Sequence, residues 1–190
     1  VVTWGFGSNS SDHSNYGGDS SSVASSLSSG VSSIVGAKYA FAALKEDGSV
    51  VTWGHSSYGG DSSTVDLTNV SSIVSNGSAF VAIKEDGSVV TWGGDNRGGD
   101  SSSVASSLTS GVSSIVSNSN AFAALKEDGS VVTWGGSSSG GNSSSVESSL
   151  SSCLSYTSGT GSALAALKED GSRITWVYSS AGRNISSVET

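Results

Sequence analysis

The sequence predicts an all-β fold, a β-propeller-type array of about four and a half repeats of about 40 residues each. One string of about twelve residues returns along the chain at an almost constant interval. Every copy holds an Asp-Gly turn between two short segments rich in Val, Ala and Thr, which is a hairpin signal. These segments carry apolar residues on both faces, so each small sheet has to pack against its neighbours.

The repeated string is clearest at Ala43–Gly54, which reads Ala-Leu-Lys-Glu-Asp-Gly-Ser-Val-Val-Thr-Trp-Gly. It returns at Ala82–Gly93 and Ala124–Gly135, and a worn copy runs over Ala166–Trp176. The opening Val1–Gly5 matches the tail of a further copy. The chain is therefore one repeat array, with units at approximately 4–52, 53–91, 92–133 and 134–175 and a partial unit at 176–190.

Each unit contains three predicted strands: a Val-Ser-Ser-Ile-Val segment, an Ala-Phe-Ala-Ala-Leu segment and the Val-Val-Thr-Trp segment. A two-residue turn at 47–48 predicts two cross-strand pairs, Leu44 with Val51 and Ala42 with Trp53. The Ser-Ser-Val region of each unit, at Val23, Val65, Val104 and Val146, is the candidate for a fourth strand. A β-solenoid is the alternative architecture, but its rungs are usually shorter and do not need a hairpin in every unit.

The composition excludes several classes of protein. The net charge of −8 and pI near 4.4 argue against nucleic acid as a partner, because Lys and Arg supply that affinity. No apolar run approaches the roughly 20 residues of a membrane helix, so no direct membrane insertion is expected. The single cysteine, Cys153, occupies the place of a repeated Val and is interpreted as a core residue. We expect no cofactor.

The beginning of the sequence bears on its origin. The chain contains no Met, begins Val1-Val2 and shows no signal peptide. This favours a processed chain or a piece of a longer protein. The predicted location is secreted, on the cell surface or in an organelle lumen, rather than cytosolic.

The Ala-Leu, Asp-Gly, Trp-Gly and Gly-Gly landmarks, in this order, resemble the repeat of the regulator of chromosome condensation family. Within that superfamily, the unit length is closest to the bacterial β-lactamase inhibitor propeller. The resemblance covers essentially the whole chain and implies propeller blades. The family's closed propellers usually have seven blades, whereas this chain supplies barely more than four. No loop here matches those of the family's nucleotide-exchange activity, so the resemblance does not imply that activity for this chain.

No catalytic constellation emerges from the sequence. His13 and His55 lie in loops after Trp-Gly and do not recur, and no Gly-x-Ser-x-Gly elbow follows a strand. We therefore predict a non-enzymatic protein with no metal site. Asp19, Asp61 and Asp100 follow the Gly-Gly turns in register and raise a calcium alternative. The favoured interpretation is a turn cap, since the fourth unit carries Asn in that place.

Loops vary between units while the frame stays fixed, and binding residues concentrate on loops that a rigid scaffold holds. Aromatic side chains and Arg dominate binding hot spots. We therefore predict a partner-binding surface formed by the aromatic and basic loop residues Phe6, Tyr16, Lys38, Tyr39, His55, Tyr58 and Arg97.

The first functional hypothesis is a repeat scaffold that binds another protein, as an accessory subunit or a segment of a larger protein. The second is an inhibitor or regulator of a specific enzyme, acting through one loop face. A contiguous aromatic patch on that face would favour the second hypothesis. The third is a cell-surface structural or adhesion module with calcium bound at the Asp turns.

Overall fold

The computed structural model describes residues 1–3, 16–144, 146–151, 154–161, 163–178 and 184–189. The predictions for Phe6, His13 and Cys153 lie outside these ranges. The strands are β1 (Val31–Gly36), β2 (Ala40–Lys45), β3 (Val50–Gly54), β4 (Val70–Ser75), β5 (Ala79–Lys84), β6 (Val89–Gly93), β7 (Val112–Ser117), β8 (Ala121–Lys126), β9 (Val131–Gly135), β10 (Leu154–Gly159), β11 (Leu164–Lys168), β12 (Arg173–Tyr178) and β13 (Asn184–Glu189). Short 3₁₀ helices lie at Ser21–Val23, Ser56–Tyr58, Asp95–Arg97, Ser102–Leu108, Ser137–Ser139 and Glu147–Ser149.

The described strands form four antiparallel sheets in chain order, which we call blades 1 to 4. Blades 1, 2 and 3 each have three strands, and blade 4 has the four strands β10 to β13. The first strands of consecutive blades contact one another, so β1, β4, β7 and β10 lie side by side along the inner edge of the array. The all-β, propeller-type array predicted from the repeat is confirmed.

The register of the hairpins differs from the prediction. Phe41, and not Ala42, pairs with Trp53, and Ala43 pairs with Val51. The loop has three residues instead of two, because the Lys45 N–H donates to the Ser49 carbonyl at 2.9 Å. A left-handed glycine in third position is typical of such loops, and the φ of Gly48 is +77°.

The one-residue change moves side chains to the opposite face. Phe41 and Trp53 now share a face and stack with ring centroids 5.3 Å apart. The same stack occurs between Phe80 and Trp92 at 5.2 Å and between Phe122 and Trp134 at 5.6 Å.

Among the described strands, a fourth strand is present in blade 4 alone. In blades 1 to 3 the Ser-Ser-Val segments form turns and 3₁₀ helices in the connections between blades. In blade 4 the related segment Asn184–Glu189 becomes β13 and pairs with β12. A strand in these connections would have to pair with the outer strand of a blade. The connections instead pack Val65 and Val104 against the cores between blades.

Three of the four hydrophobic cores of the described residues lie between two blades, and the fourth lies between blade 1 and the segment that precedes it. Ala40, Ala42 and Leu44 of blade 1 pack against Phe80 and Trp92 of blade 2. The same arrangement joins blade 2 to blade 3 and blade 3 to blade 4. One face of every blade therefore carries an Ala-x-Ala-x-Leu type strand, and the opposite face carries the aromatic pair. Blade 4 has Leu164 in place of the Phe.

The tryptophan of each of the four blades is hydrogen-bonded to the preceding turn that contains two glycines. The indole N–H of Trp92 donates to the Gly59 carbonyl at 3.1 Å, and Trp134 donates to the Gly98 carbonyl at 3.1 Å. A Cβ on Gly59 would lie 2.5 Å from the Phe80 ring, and the φ of Gly59 is +90°. Only glycine combines that backbone with such a close approach.

Polar contacts repeat at the same interfaces. The hydroxyl of Thr52 hydrogen-bonds to the Gly60 carbonyl at 3.3 Å and to the Ser62 hydroxyl at 2.9 Å. Thr91 and Thr133 make the equivalent pairs of bonds. The hairpin tips of blades 1 to 3 also accept a hydrogen bond from the next blade, as where the Val70 N–H donates to the Gly48 carbonyl at 2.9 Å.

Candidate partner-binding site

The predicted binding residues come from two kinds of loop that meet at one edge of the blades. One loop connects the first strand to the second, and the other follows the third strand. In a three-stranded antiparallel sheet these two points lie at the same end. The His55 N–H donates to the Tyr39 carbonyl at 2.8 Å, which ties the two loops together in blade 1. The Lys38 N–H donates to the Gly77 carbonyl of blade 2, also at 2.8 Å.

Four of the predicted residues form one cluster of rings. Tyr39 lies at its centre, with its ring centroid 4.8 Å from that of Tyr16 and 4.7 Å from that of Tyr58. His55 lies 5.4 Å from Tyr58 and 6.4 Å from Tyr39. All four side chains are half-buried, so each keeps part of its ring in solvent. We call this set the aromatic cluster.

Two cations border the aromatic cluster. The Lys38 ammonium lies 4.8 Å from the centroid of the Tyr39 ring. Hydrogen bonding with the Tyr39 side chain raises the pKa of Lys38, and the positive charge of Arg97 opposes that rise. The side chains of Lys38 and Arg97 are both exposed, so both are accessible to a partner.

Arg97 belongs to the neighbouring part of the same face. Its guanidinium hydrogen-bonds to the side-chain oxygen of Asn120 in blade 3. Its backbone carbonyl accepts a hydrogen bond from the Asn76 side chain at 2.6 Å. Asn76 and Asn118 also turn the chain by accepting backbone N–H groups two and three residues later. The sequence reasoning missed these asparagines, although their shared place before the Ala-Phe strand is a visible signal.

His55 has a structural role as well as a place in the cluster. Its Nδ1 accepts the Ser57 N–H at 3.2 Å and caps the short 3₁₀ helix that carries Tyr58. The structure therefore gives this histidine a turn function. No group of three or more His, Cys, Asp or Glu side chains within the described ranges could hold a metal ion.

The aspartates of the Gly-Gly turns act as turn caps. The Asp61 carboxylate accepts the Ser63 N–H at 2.9 Å, and Asn142 accepts the Ser144 N–H at 3.0 Å in the same way. These hydrogen bonds, first those from the backbone, lower the pKa of Asp19, Asp61 and Asp100. The capping interpretation is confirmed, and an uncharged Asn serves the same purpose.

The Lys-Glu-Asp-Gly tips lie at the opposite ends of the blades from the aromatic cluster. The Asp47 carboxylate accepts the hydroxyl of Ser49 at 2.6 Å and its N–H at 3.0 Å. The hydroxyl bond is the main cause of a lowered Asp47 pKa, and Asp86, Asp128 and Asp170 repeat it. Each tip is therefore an ordered, charged turn on the face that does not carry the tyrosines.

No protein-family model matches this sequence, and no curated protein sequence matches it. Solved structures do match. Human WBSCR16 is similar with a TM-score of 0.57 and 16% identity, over 78% of this chain and 47% of that chain. Prp20p from Saccharomyces cerevisiae is similar with a TM-score of 0.53 and 19% identity, over 77% of this chain and 43% of that one.

The ectodomain of the receptor kinase CR4 from Physcomitrella patens gives a TM-score of 0.51 at 17% identity, over 77% of this chain and 39% of that one. The chain thus spans less than half the length of each of these three structures. At these identities the likeness shows the fold: an array of blades of the regulator of chromosome condensation (RCC1) type. The family resemblance expected from the repeat is confirmed at that level. The closer likeness to the β-lactamase inhibitor propeller stays a prediction.

Proposed function

We propose that this chain is a non-enzymatic protein-binding array and that the aromatic cluster is its binding surface. The observation that carries the proposal is the convergence of Tyr16, Tyr39, Tyr58 and His55 from three separate loops into one half-exposed group. Tyrosine rings supply large contact area with few rotatable bonds, which makes them effective anchors at protein interfaces.

The charges around the cluster favour a particular kind of partner surface. Lys38 and Arg97 border the rings, whereas the acidic hairpin tips lie at the other ends of the blades. Opposite charges across an interface guide the encounter and select partners. We infer a partner segment with an apolar or aromatic anchor flanked by a carboxylate.

Structures with this fold support protein binding in general. The yeast RCC1 protein Prp20 is described as bound to Kap60, and as binding Gsp1p and histones. A role of the present chain as an accessory subunit or as part of a larger scaffold, in a secreted or lumenal setting, is part of the same proposal. No helix in the described ranges has the length and apolarity needed to cross a membrane.

A second candidate function is inhibition or regulation of one enzyme through the same face. The contiguity of the aromatic cluster favours it, because a continuous anchor surface suits insertion into an active-site cleft. The calcium-dependent adhesion hypothesis has less support, since the turn aspartates are engaged in capping.

The test compares partner capture by the wild-type chain with capture by a Tyr39→Ala/Tyr58→Ala double variant. Proteins from an extract of the source are bound to each chain and quantified by mass spectrometry. The matched control is Ser119→Ala/Ser138→Ala, because both serines are exposed on the same face at blades 3 and 4.

We expect at least one protein to bind the wild type and the control but not the tyrosine variant. With the purified partner, each tyrosine should contribute about 2 kcal/mol, or about 30-fold in Kd. An unchanged set of bound proteins would reject the aromatic cluster as the binding surface. If the captured protein is an enzyme, its rate with and without the chain decides between scaffold and inhibitor.

A further inference from the structure

In blade 2, one asparagine side chain joins the two loops on the face that carries the aromatic cluster. The Asn76 Oδ1 accepts the Ser78 N–H at 3.0 Å and the Ala79 N–H at 2.9 Å. The Asn76 Nδ2 donates to the carbonyl of Arg97, the last residue of the 3₁₀ helix in the second loop, at 2.6 Å. Two backbone N–H groups and one backbone carbonyl therefore surround a single carboxamide. We call such a set of three backbone groups a carboxamide cradle.

Blade 3 contains the same cradle. The Asn118 Oδ1 accepts the Asn120 N–H at 3.0 Å and the Ala121 N–H at 2.9 Å. The Asn118 Nδ2 donates to the Ser139 carbonyl. In both blades the asparagine is the residue directly after the first strand. In blade 1 the residue in that place is Ala37, which has no carboxamide.

The backbone of blade 1 nevertheless has the same shape. The Ala37 N–H donates to the Ala40 carbonyl at 2.8 Å, and the equivalent bonds of blades 2 and 3 measure 3.2 and 3.0 Å. The His55 N–H donates to the Tyr39 carbonyl at 2.8 Å, against 2.9 and 2.7 Å. The Tyr58 N–H donates to the His55 carbonyl at 3.0 Å, against 2.9 Å in both other blades. The Tyr39 N–H, the Ala40 N–H and the Tyr58 carbonyl therefore form a third cradle.

The third cradle holds no carboxamide from the described residues. Among them, no group accepts a hydrogen bond from the Tyr39 or Ala40 N–H, and none donates to the Tyr58 carbonyl. Ala40 is also fully buried. A buried N–H without an acceptor costs free energy, and nearly all such groups in proteins are paired. The Ala40 N–H is therefore a polar group that a ligand oxygen would satisfy.

The cradle of blade 1 lies within the aromatic cluster. Tyr39 and Tyr58 contribute its backbone groups and also carry two of the four rings, with centroids 4.7 Å apart. Because Ala40 is fully buried, a ligand reaches its N–H only when neighbouring side chains move. The rings of Tyr39 and Tyr58 are half-exposed, and interface side chains commonly change rotamer on binding. In blades 2 and 3 the residues in these two places carry no ring: Ser78, Arg97, Asn120 and Ser139.

We propose that the cradle of blade 1 binds a primary carboxamide of the partner, the side chain of an Asn or a Gln. This inference rests on the proposed function and names a group that the aromatic cluster recognises. The carboxamide oxygen accepts the Tyr39 and Ala40 N–H groups, and its NH₂ group donates to the Tyr58 carbonyl. A carboxylate has no donor, so one of its oxygens would face that carbonyl without a hydrogen bond. The flanking carboxylate inferred above meets the two border cations and not the cradle.

The first test fills the cradle from within the chain and needs no partner. Ala37→Asn supplies the carboxamide that blades 2 and 3 already have, and Ala37→Leu is the control of similar size without polar atoms. An N–H that is bonded to a fixed acceptor exchanges its hydrogen more slowly with solvent. We expect Ala37→Asn, but not Ala37→Leu, to slow exchange at the Tyr39 and Ala40 N–H groups by about tenfold or more. Unchanged exchange in Ala37→Asn would overturn the proposal, because the three groups would then not form a cradle.

The second test uses three small probes that differ in one group. They are the N-acetyl N-methylamides of glutamine, of glutamate and of the γ-methyl ester of glutamate. The ester is neutral like glutamine but has no NH₂ group, so it separates the loss of the donor from the added charge. Binding is followed through the amide chemical shifts of Tyr39 and Ala40.

We expect the glutamine probe to bind the wild type with a Kd in roughly the millimolar range, about tenfold or more tighter than either other probe. It should cause no shift at these amides in Ala37→Asn, where the cradle is filled. Equal binding of the three probes, shifts that persist in Ala37→Asn, or no shift with any probe would each contradict a carboxamide site.

A captured partner separates this inference from the proposed function. Ala37→Asn keeps the rings and fills the cradle, whereas Tyr39→Ala/Tyr58→Ala removes the rings. We expect Ala37→Asn to raise the Kd of the purified partner about tenfold or more. If Ala37→Asn binds the partner like wild type while the tyrosine variant does not, the carboxamide is refuted and the proposed function stands. If the tyrosine variant loses no partner, the proposed function is rejected, and the probes still decide whether the cradle takes a carboxamide.

Discussion

The interfaces between blades and the loop face above them differ sharply in how much their residues vary. At the interfaces, blades 1 to 3 repeat the same Trp, the same glycines and the same Thr hydrogen bonds. On the loop face, the positions of Tyr39 and Tyr58 become Ser78 and Arg97 in the next unit, and then Asn120 and Ser139. The scaffold therefore fixes where the loops lie, and the loops decide what the surface can bind.

The largest difference in unfolding free energy is expected between removing one aromatic ring at a blade interface and removing one on the loop face. Phe80→Ala leaves a cavity beneath a fully buried stack and should destabilise the fold by about 3–5 kcal/mol. Tyr39→Ala removes a half-exposed ring and should cost about 1 kcal/mol or less. Denaturant unfolding of both variants measures the difference. Equal losses would mean that the aromatic cluster is part of the structural core.

Replacing one glycine at an interface and one on the loop face tests the same difference between the two regions. Gly98 has φ +96°, and a Cβ there would lie 2.5 Å from the Phe122 ring. Gly98→Ala should therefore cost about 3 kcal/mol, from backbone strain and overlap together. Gly77 has φ +86° on the loop face, with nothing within 4 Å of its Cβ. Gly77→Ala should cost only the strain, about 1 kcal/mol. If unfolding gave equal costs, the close approach at Gly98 would be refuted.

The threonine contacts at the interfaces should have a smaller effect. Thr91→Val keeps the shape of the side chain but loses the bonds to the Gly99 carbonyl and the Ser101 hydroxyl. We expect a loss of about 1–2 kcal/mol in unfolding free energy. Thr109→Val is the control, because its hydroxyl bonds in an exposed loop, and its effect should be within about 0.5 kcal/mol. Similar values for the two variants would argue against a contribution of these contacts to stability.

The smallest expected effect concerns the ion pair between the largely buried Lys84 and the exposed Asp66. The Lys84 ammonium lies 2.7 Å from the Asp66 carboxylate, and its hydrogen bond is the main cause that lowers the pKa of Asp66 to about 2. A lowered pKa in the folded state stabilises the protein above the ordinary value of 3.8 and loses that effect as the pH falls toward 2.

Asp66→Asn should therefore lower the Tm slightly at neutral pH, and the difference from wild type should disappear between pH 3.8 and about 2. Thermal scans across this range check the prediction. Added salt at neutral pH should also reduce the difference, because Asp66 is exposed to solvent. A difference that persists at pH 2 would show that the Asp66 side chain acts through its shape rather than its charge.

The register of the hairpins is a feature that the turn sequence alone does not determine. An Asp-Gly pair is compatible with both a two-residue turn and a three-residue loop ending in a left-handed glycine. The second form is present, and in it the Gly48 carbonyl accepts the Val70 N–H of the next blade. That contact joins residues of different units, so nothing within one hairpin predicts it. The error mattered, because it exchanged the faces of Trp53 and Thr52.

The sequence predicted which residues form the candidate site but not how their side chains are arranged in space. Loop position and residue type were enough to select Tyr16, Tyr39, Tyr58 and His55. Their distances depend on three loops that are separated by up to 42 positions along the chain. Asn120, which bonds Arg97, was overlooked, because an Asn before a strand resembles an ordinary turn residue.

The amino-acid sequence alone predicts the repeat, the blade-like units, the glycines at the turns and the apolar alternation, because these depend on neighbours within about 40 residues. Two other features, the hairpin register and the convergence of the tyrosines, follow from the folded structure and not from the local sequence. Each of these depends on how one blade packs on the next. Packing of that kind joins residues from different units, and strand and turn propensities carry no information about it.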